Sequence, residues 1–377
     1  MFRKFCYFSI IALFAGLLAN AQQYYLFVGS YNRDKDKDGI YLYRFDYNTG
    51  ALQPVSALKG ILNPSFLTLS PDGKYIYACS EAQTPNIGGV TSLSFDSTKE
   101  TLTLLSRQNS GGDNPAYVGT DKDGKWLLCA NYSGGSLSVF PLENGHIAPA
   151  KQVIAFQDSS VFLSRQTSSH IHSAVFSPDG HYAFFPDLGA DKIREYELVP
   201  AAGEPLQPTT PPYTRTVPGS GPRHIIFHQR LPYAYCIEEM GGMVSVYKYN
   251  DGKLDSIQRI SAHLEGRVND FNSADIHISP DGKFLYASTR ESDNTIFIYA
   301  INQQNGTLKR IGQESSRGRH PRNFMIDPTG KYLLVANQNS GNIVVFKRNQ
   351  KTGLLTATGT EVKVLNPSSL QMRAYGK

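Results

Sequence analysis

The sequence predicts an all-β protein, a seven-bladed β-propeller whose first blade is closed by the C-terminal strand. Three observations carry that expectation. First, a turn of the Ser-Pro-Asp-Gly type followed by an aromatic-rich strand recurs along the chain. The copies are SPDGKYIYACSE from Ser70, DKDGKWLLCANY from Asp121, SPDGHYAFFPDL from Ser177, SPDGKFLYASTR from Ser279 and DPTGKYLLVANQ from Asp327, with a degenerate copy, HQRLPYAYCIEE, from His228. Second, the turn positions Gly73, Gly124, Gly180, Leu231, Gly282 and Gly330 lie 51, 56, 51, 51 and 48 residues apart. A period near 50 with several short strands per unit is the signature of a four-stranded propeller blade. Third, the two ends complement each other. YYLFVGSYNR from Tyr24 reads as a second strand lacking its first, and VLNPSSLQM from Val364 repeats ILNPSFLTL from Ile61, the first strand of another blade. Residues 366–372 are therefore expected to supply the innermost strand of the blade built from residues 24–58. Such a splice leaves no open sheet edge.

Before the repeat comes a segment of a different kind. Arg3 and Lys4 precede an almost wholly apolar run from Phe5 to Leu18, and Ala19-Asn20-Ala21 matches a small-x-small cleavage site. This pattern predicts a secretory signal peptide over residues 1–21, followed by one propeller domain over 22–377. The apolar run is too short for a permanent membrane span, and no Cys follows the cut, which argues against a lipoprotein. The mature chain is expected to be exported, periplasmic or secreted. Without Arg3 and Lys4 the formal charge falls from +5 to +3, too weak a bias to suggest nucleic acid. Three cysteines remain, Cys79, Cys129 and Cys236, an odd number on strands of different blades. They read as small buried apolar residues rather than a disulfide framework.

Alternating patterns predict further strands at Ile40–Phe45 and at residues 91–95, 137–140, 244–249, 296–299 and 343–346, and nothing shows helical periodicity over three turns. The Pro-rich stretch 200–222 is expected to be a long surface loop between blades.

Blade geometry turns the repeat into a site map. The first strand of a blade lines the central channel and the second runs back antiparallel, so the start of one and the end of the other meet at the same mouth. Eight residues before each turn lie Ser65, Ala116, His172, Arg223, Ala274 and Arg322, with Ser368 from the closing strand. Ten before lie Asn63, Asn114, His170, Gly221, Asn272, His320 and Asn366. Eight after lie Glu81, Tyr132, Leu188, Glu239, Arg290 and Gln338, with Tyr31 from the first blade. One residue earlier lie Ser80, Asn131, Asp187, Glu238, Thr289 and Asn337. Three arginines can hold a carboxylate or phosphate in bidentate geometry. His172 and Glu239 can move protons if burial tunes them. Such a set suits an anionic or carbonyl-bearing small molecule.

The motifs GPRHIIFH from Gly221, CIEEM from Cys236, ADIHISPDGKFLYASTRE from Ala274 and HPRNFMIDPTGKYLLVANQ from His320, with SHIHSAVFSPDG and the segment 187–193, resemble the lactonase family of seven-bladed propellers. That family includes a bacterial 6-phosphogluconolactonase and is related to the carboxy-cis,cis-muconate cyclases. The resemblance implies a lactonase, a carboxylic ester hydrolase acting on a sugar lactone without cofactor. In the cyclases a His, two Arg and a Glu form the proposed site. By motif these match His172, Arg223 and Glu239, with Arg290 as the second arginine and Arg322 as its alternative. The expected catalytic set is thus His172, Arg223, Glu239 and Arg290, with Glu239 or His172 as the base. Substrate contacts are expected from Arg322, His170, His320, Glu81, Asn131, Asp275, His277 and Gln338. A lactonizing cycloisomerase and a non-catalytic binding propeller of the cell envelope stand as alternatives. A monomer with a small-molecule substrate is expected.

Three other signals carry less. Asp34 to Gly39 imitates the start of a calcium loop, but its twelfth position would be Phe45 rather than Glu, so a charged hairpin loop is the better reading. His170 and His172 lie two apart on one strand, and only Asp187 or Asp191 offers a third ligand, so no metal is expected. No Walker, dinucleotide or G-x-S-x-G motif is present, and no cofactor is expected.

Overall fold

The computed structural model describes residues 22–376 apart from 83–86, 268, 270 and 292; the expected signal peptide lies outside the described residues. The strands form seven antiparallel sheets, and no helix occurs among the described residues. Each later blade runs outward in chain order from the channel: for the fifth, Pro222–Phe227, Tyr233–Glu238, Met243–Asn250 and Lys253–Ser261. The first blade takes its innermost strand, Pro367–Tyr375, from the C-terminus. That strand pairs antiparallel with Gln23–Ser30, placing Met372 opposite Leu26 and Leu370 opposite Val28. The expected closure and blade count are both observed.

The recurrent turn works by side-chain capping. The hydroxyl of Ser70 donates to Asp72 at 2.6 Å and accepts from the Tyr75 backbone N–H at 2.9 Å, while Gly73 takes a left-handed φ of 76°. Ser177 and Ser279 repeat the arrangement. In the two Asp copies a carboxylate accepts the same strand amide, Trp126 N–H at 2.8 Å for Asp121 and Tyr332 N–H at 2.6 Å for Asp327. In the degenerate copy His228 Nδ1 accepts from the N–H groups of Arg230 and Leu231. This turn therefore keeps its cap while dispensing with glycine.

Apolar side chains from facing sheets form seven clusters, one at each blade interface. The cluster between the seventh and first blades joins Leu26, Val28, Leu334, Ala336 and Leu370. Cys79, Cys129 and Cys236 are free and buried within these layers, as expected. Glutamines add polar staples between blades: Gln152 both donates to and accepts from the Leu206 backbone, and Gln258 does the same with Leu308.

One expectation fails. Within the stretch 200–222, Leu206–Arg215 is not loop but the outermost strand of the fourth blade, paired with Lys192–Leu198. Its prolines are tolerated because an edge strand needs ladder hydrogen bonds on one side only, and a register shift between Arg194 and Tyr196 absorbs them.

If closure holds the ring, Leu370→Ala, at 2% exposure, should cost about 2–5 kcal/mol. Leu365→Ala, at 46% exposure just before the closing strand, should stay within about 0.5 kcal/mol. Equal effects in denaturant melts would contradict this role of the closing strand.

Candidate active site at the channel mouth

A repeated backbone contact builds the mouth. In every blade the N–H eight residues after the turn donates to the C=O ten residues before it. These bonds run from Tyr31 to Asn366, Glu81 to Asn63, Tyr132 to Asn114, Leu188 to His170, Glu239 to Gly221, Arg290 to Asn272 and Gln338 to His320, at 2.8–3.1 Å. The column ten before the turn is thus a backbone feature first. Asn63, Asn114, Gly221, His320 and Asn366 all adopt left-handed φ, a region that Asn and Gly enter at low cost.

Just inside, the inner strands carry a bulge. Register shifts fall between Pro115 and Tyr117, Pro222 and His224, and Pro321 and Asn323. The skipped residues are Ala116, Arg223 and Arg322, members of the column eight before the turn. A bulge re-aims the extra side chain.

These columns enclose a cavity of about 280 Å³ lined by Glu81, Asn114, Ala116, Tyr132, Arg165, His172, Glu239, Asn272, Arg290 and Arg322. All except Arg165 come from the columns eight or ten residues from a turn. Beneath lies a void of about 10 Å³, bordered by His172, Arg322, Arg223 and His224. Arg223 is 1% exposed and meets the site from below.

Glu239 is the electrostatic centre. Its Oε2 accepts from Arg223 Nε at 2.9 Å and lies 2.9 Å from Arg290 Nη2, while Oε1 accepts from Arg165 at 2.6 Å. Burial opposes its ionisation, but Arg290, Arg223 and Arg165 together overcome that and hold the carboxyl far below the usual glutamate range. A carboxylate with both oxygens committed to three guanidiniums is a poor proton acceptor. Of the two expected bases, Glu239 is the one whose contacts are those of a counter-ion to the arginines. Burial, with Arg290 and Arg322 nearby, pulls Arg223 down to about 9, so it remains cationic at neutral pH.

His172 differs. Burial, then Arg223, His224 and Arg322, push it well below its ordinary value, so the imidazole is neutral. Its ring packs edge-on against Tyr132, and Nδ1 is buried without a partner among the described residues. Arg322 donates to the Tyr31 hydroxyl at 2.8 Å and lies over that ring.

Other expected residues fall outside the cavity. Asn131 is fully buried and donates to Ser110 O, Ser136 Oγ and Ser138 Oγ. Its column, one residue before the mouth, faces the outer strands, as strand alternation requires: Asp187 pairs with Arg194, and Glu238 with Arg259 and Ser245. Asp275 lies deeper, bonded to His224 Nδ1 at 2.8 Å and His277 Nε2 at 3.0 Å. His224 Nε2 in turn faces Arg223 at 3.2 Å, so Asp275 and His224 form a chain of contacts behind Arg223, and neither lines the cavity. His170 stacks on Tyr132, His320 contacts Arg290 and Glu291, and Gln338 borders an adjoining outer groove. As for the metal alternative, Asp187 is held by Arg194, and Asp191 accepts from Ser160 and the Gly219 and Gly221 N–H groups.

The residue missed from sequence is Arg165. It stands on a strap outside the repeat, fixed by Gln166, whose side chain accepts from Phe162 N–H and donates to Leu188 O. The one signal was the 56-residue spacing between Gly124 and Gly180, longer than the others.

A seven-bladed propeller with a buried arginine cluster at one channel mouth defines a class of rigid-scaffold proteins that bind small polar, anionic or carbonyl-bearing molecules. Residues 25–372 match the family described as lactonase, 7-bladed β-propeller, and the chain belongs to that family. It is 42% identical over 352 residues to a 6-phosphogluconolactonase of Formosa agariphila, covering 93% of this chain and 99% of that one. Among solved structures, a putative 6-phosphogluconolactonase of Bacteroides fragilis is 41% identical with a TM-score of 0.88, over 94% of this chain and 99% of that one. A periplasmic gluconolactonase of Pseudomonas aeruginosa is 37% identical, also at 0.88, over 93% and 99%.

Glu239 allows a pH prediction. Its folded-state value is depressed, so its stabilisation is present above about 4.5, the unfolded value, and is lost as pH falls below it. Glu239→Gln should cost about 3–5 kcal/mol at pH 7, because the buried guanidiniums of Arg223 and Arg290 lose their counter-charge. The gap between wild type and variant in thermal melts should close as pH falls from 5 towards 2. A constant gap would refute the assignment.

Proposed function

We propose that this protein is an exported, monomeric lactonase that hydrolyses a sugar lactone in the mouth cavity. The observation that carries the reading is the convergence of Arg165, Arg290 and Arg322 on a cavity of about 280 Å³ that also contains a neutral imidazole. A lactone ester is intrinsically reactive, so water suffices as nucleophile. His172, the candidate base whose lone pair is not committed to arginine, takes the water proton as oxygen attacks the carbonyl carbon. The cavity arginines stabilise the oxyanion and hold the hydroxyl-rich or anionic remainder of the substrate. Arg223, braced from below, sets the position of Glu239 and through it Arg290. Export is supported by the leader-like residues 1–21, and the similar periplasmic gluconolactonase is consistent with it. No helix among the described residues is long and apolar enough to cross a membrane. The closed ring, with its first blade completed within the chain, supports a monomer.

The test is a pH-stat assay of purified protein against D-glucono-δ-lactone and its 6-phosphate, corrected for spontaneous opening. Hydrolysis is expected, and Arg290→Ala and His172→Gln should each lower kcat about 10²-fold or more with circular dichroism unchanged. Silence of wild type on both lactones, or full activity of both variants, would sink the proposal.

A further inference from the structure

The cavity holds a second carboxyl group that the reaction as described leaves idle. Glu81, from the end of the second blade's second strand, is 8% exposed and lines the same cavity as His172 and Arg322. Unlike Glu239 it forms no ion pair among the described residues. Its backbone is fixed on both sides, its N–H donating to Asn63 O and its C=O accepting from Asn63 Nδ2 at 3.0 Å. The side chain is thus presented by a braced backbone.

We propose that Glu81 is the general acid of this site, delivering a proton to the ring oxygen of the lactone as its bond to the acyl carbon breaks. The inference rests on the lactonase reading above. Hydrolysis needs a proton removed from water and another supplied to a poor alkoxide leaving group. The arginine-clamped Glu239 carries no proton to give and resting His172 is neutral, so a second group that starts protonated can supply the leaving oxygen while His172 holds the proton taken from water. In the step, water oxygen bonds to the carbonyl carbon and its proton passes to His172. The tetrahedral oxyanion then collapses, the carbon–ring-oxygen bond breaks, and the Glu81 proton ends on the new hydroxyl. The product carboxylic acid ionises, and proton exchange with water restores neutral His172 and protonated Glu81. The sum is lactone plus water giving hydroxy-carboxylate and one proton.

The surroundings suit that role. Charged and titratable groups face Glu81 from several elements: Tyr31 from the first blade, Arg322 from the seventh, Arg223 from the fifth and Cys79 on its own strand. Burial raises the carboxyl above its usual value. Arg322, the hydroxyls of Tyr31 and Ser65, and Arg223 oppose this without cancelling it. Arg322 is partly diverted, because it donates to Tyr31 at 2.8 Å.

The experiment is the pH–rate profile of wild type, Glu81→Gln and Glu81→Asp on D-glucono-δ-lactone, after subtraction of spontaneous hydrolysis. For wild type, kcat should fall as pH rises through an alkaline limb lying above 4.5, the ordinary glutamate value. Glu81→Gln should lose about 10²-fold in kcat and lose that limb, with KM changed little. Glu81→Asp should restore part of the rate and a displaced limb, and it decides the matter alone if the glutamine variant does not fold. A Glu81→Gln or Glu81→Asp profile superimposable on wild type overturns the proposal, as does a wild-type limb on the acid side only. Wild-type silence on lactones would instead be a failure of the lactonase reading, visible before any Glu81 variant is assayed.

Discussion

One buried carboxylate lets three guanidiniums share one end of the channel. Arg165, Arg223 and Arg290 come from three different parts of the chain, and like charges at such separations repel strongly in a poorly solvated site. Glu239 removes that cost by placing both oxygens among them. The arrangement keeps the arginines cationic and aimed without needing a bound anion. The same contacts that organise the site also lower the proton affinity of Glu239.

That cluster depends on the ring. Glu239 and Arg290 both occupy the position eight residues after a turn, and each is pinned by the same backbone hydrogen bond to the strand start beside it. The bulges aim Arg223 and Arg322 inward from the other column. A second layer, Asp275 through His224, supports Arg223 from beneath. Rigidity reaches the site through backbone ladders closed by the Pro367–Tyr375 strand, so little of the positioning is left to mobile side chains.

The blade count and the identity of nearly all cavity residues were legible because repeat register is a geometric coordinate: counting from Gly180 reaches His172, and counting from the degenerate Leu231 still reaches Arg223 and Glu239. Side-chain direction was less legible. Asn131 sits one residue from the mouth column and therefore faces the opposite side, where it bonds Ser136 and Ser138. The asparagines ten residues before the turns look like ligand-binding groups, yet a left-handed backbone explains most of them. Arg165 escaped because its strap lies outside the register. The edge strand Leu206–Arg215 escaped because proline content argues for a loop unless the strand is known to lie at an edge. Charge state was not legible at all: Glu81 and Glu239 occupy equivalent columns, and only the partners contributed by other blades distinguish them.

The most direct measurement is a crystal structure of the protein soaked with an aldonate product. The account predicts an aldonate in the mouth cavity, its carboxylate hydrogen-bonded to Arg290 or Arg322 and a hydroxyl within reach of Glu81. An aldonate bound only in an outer groove, with the cavity arginines untouched, would contradict it.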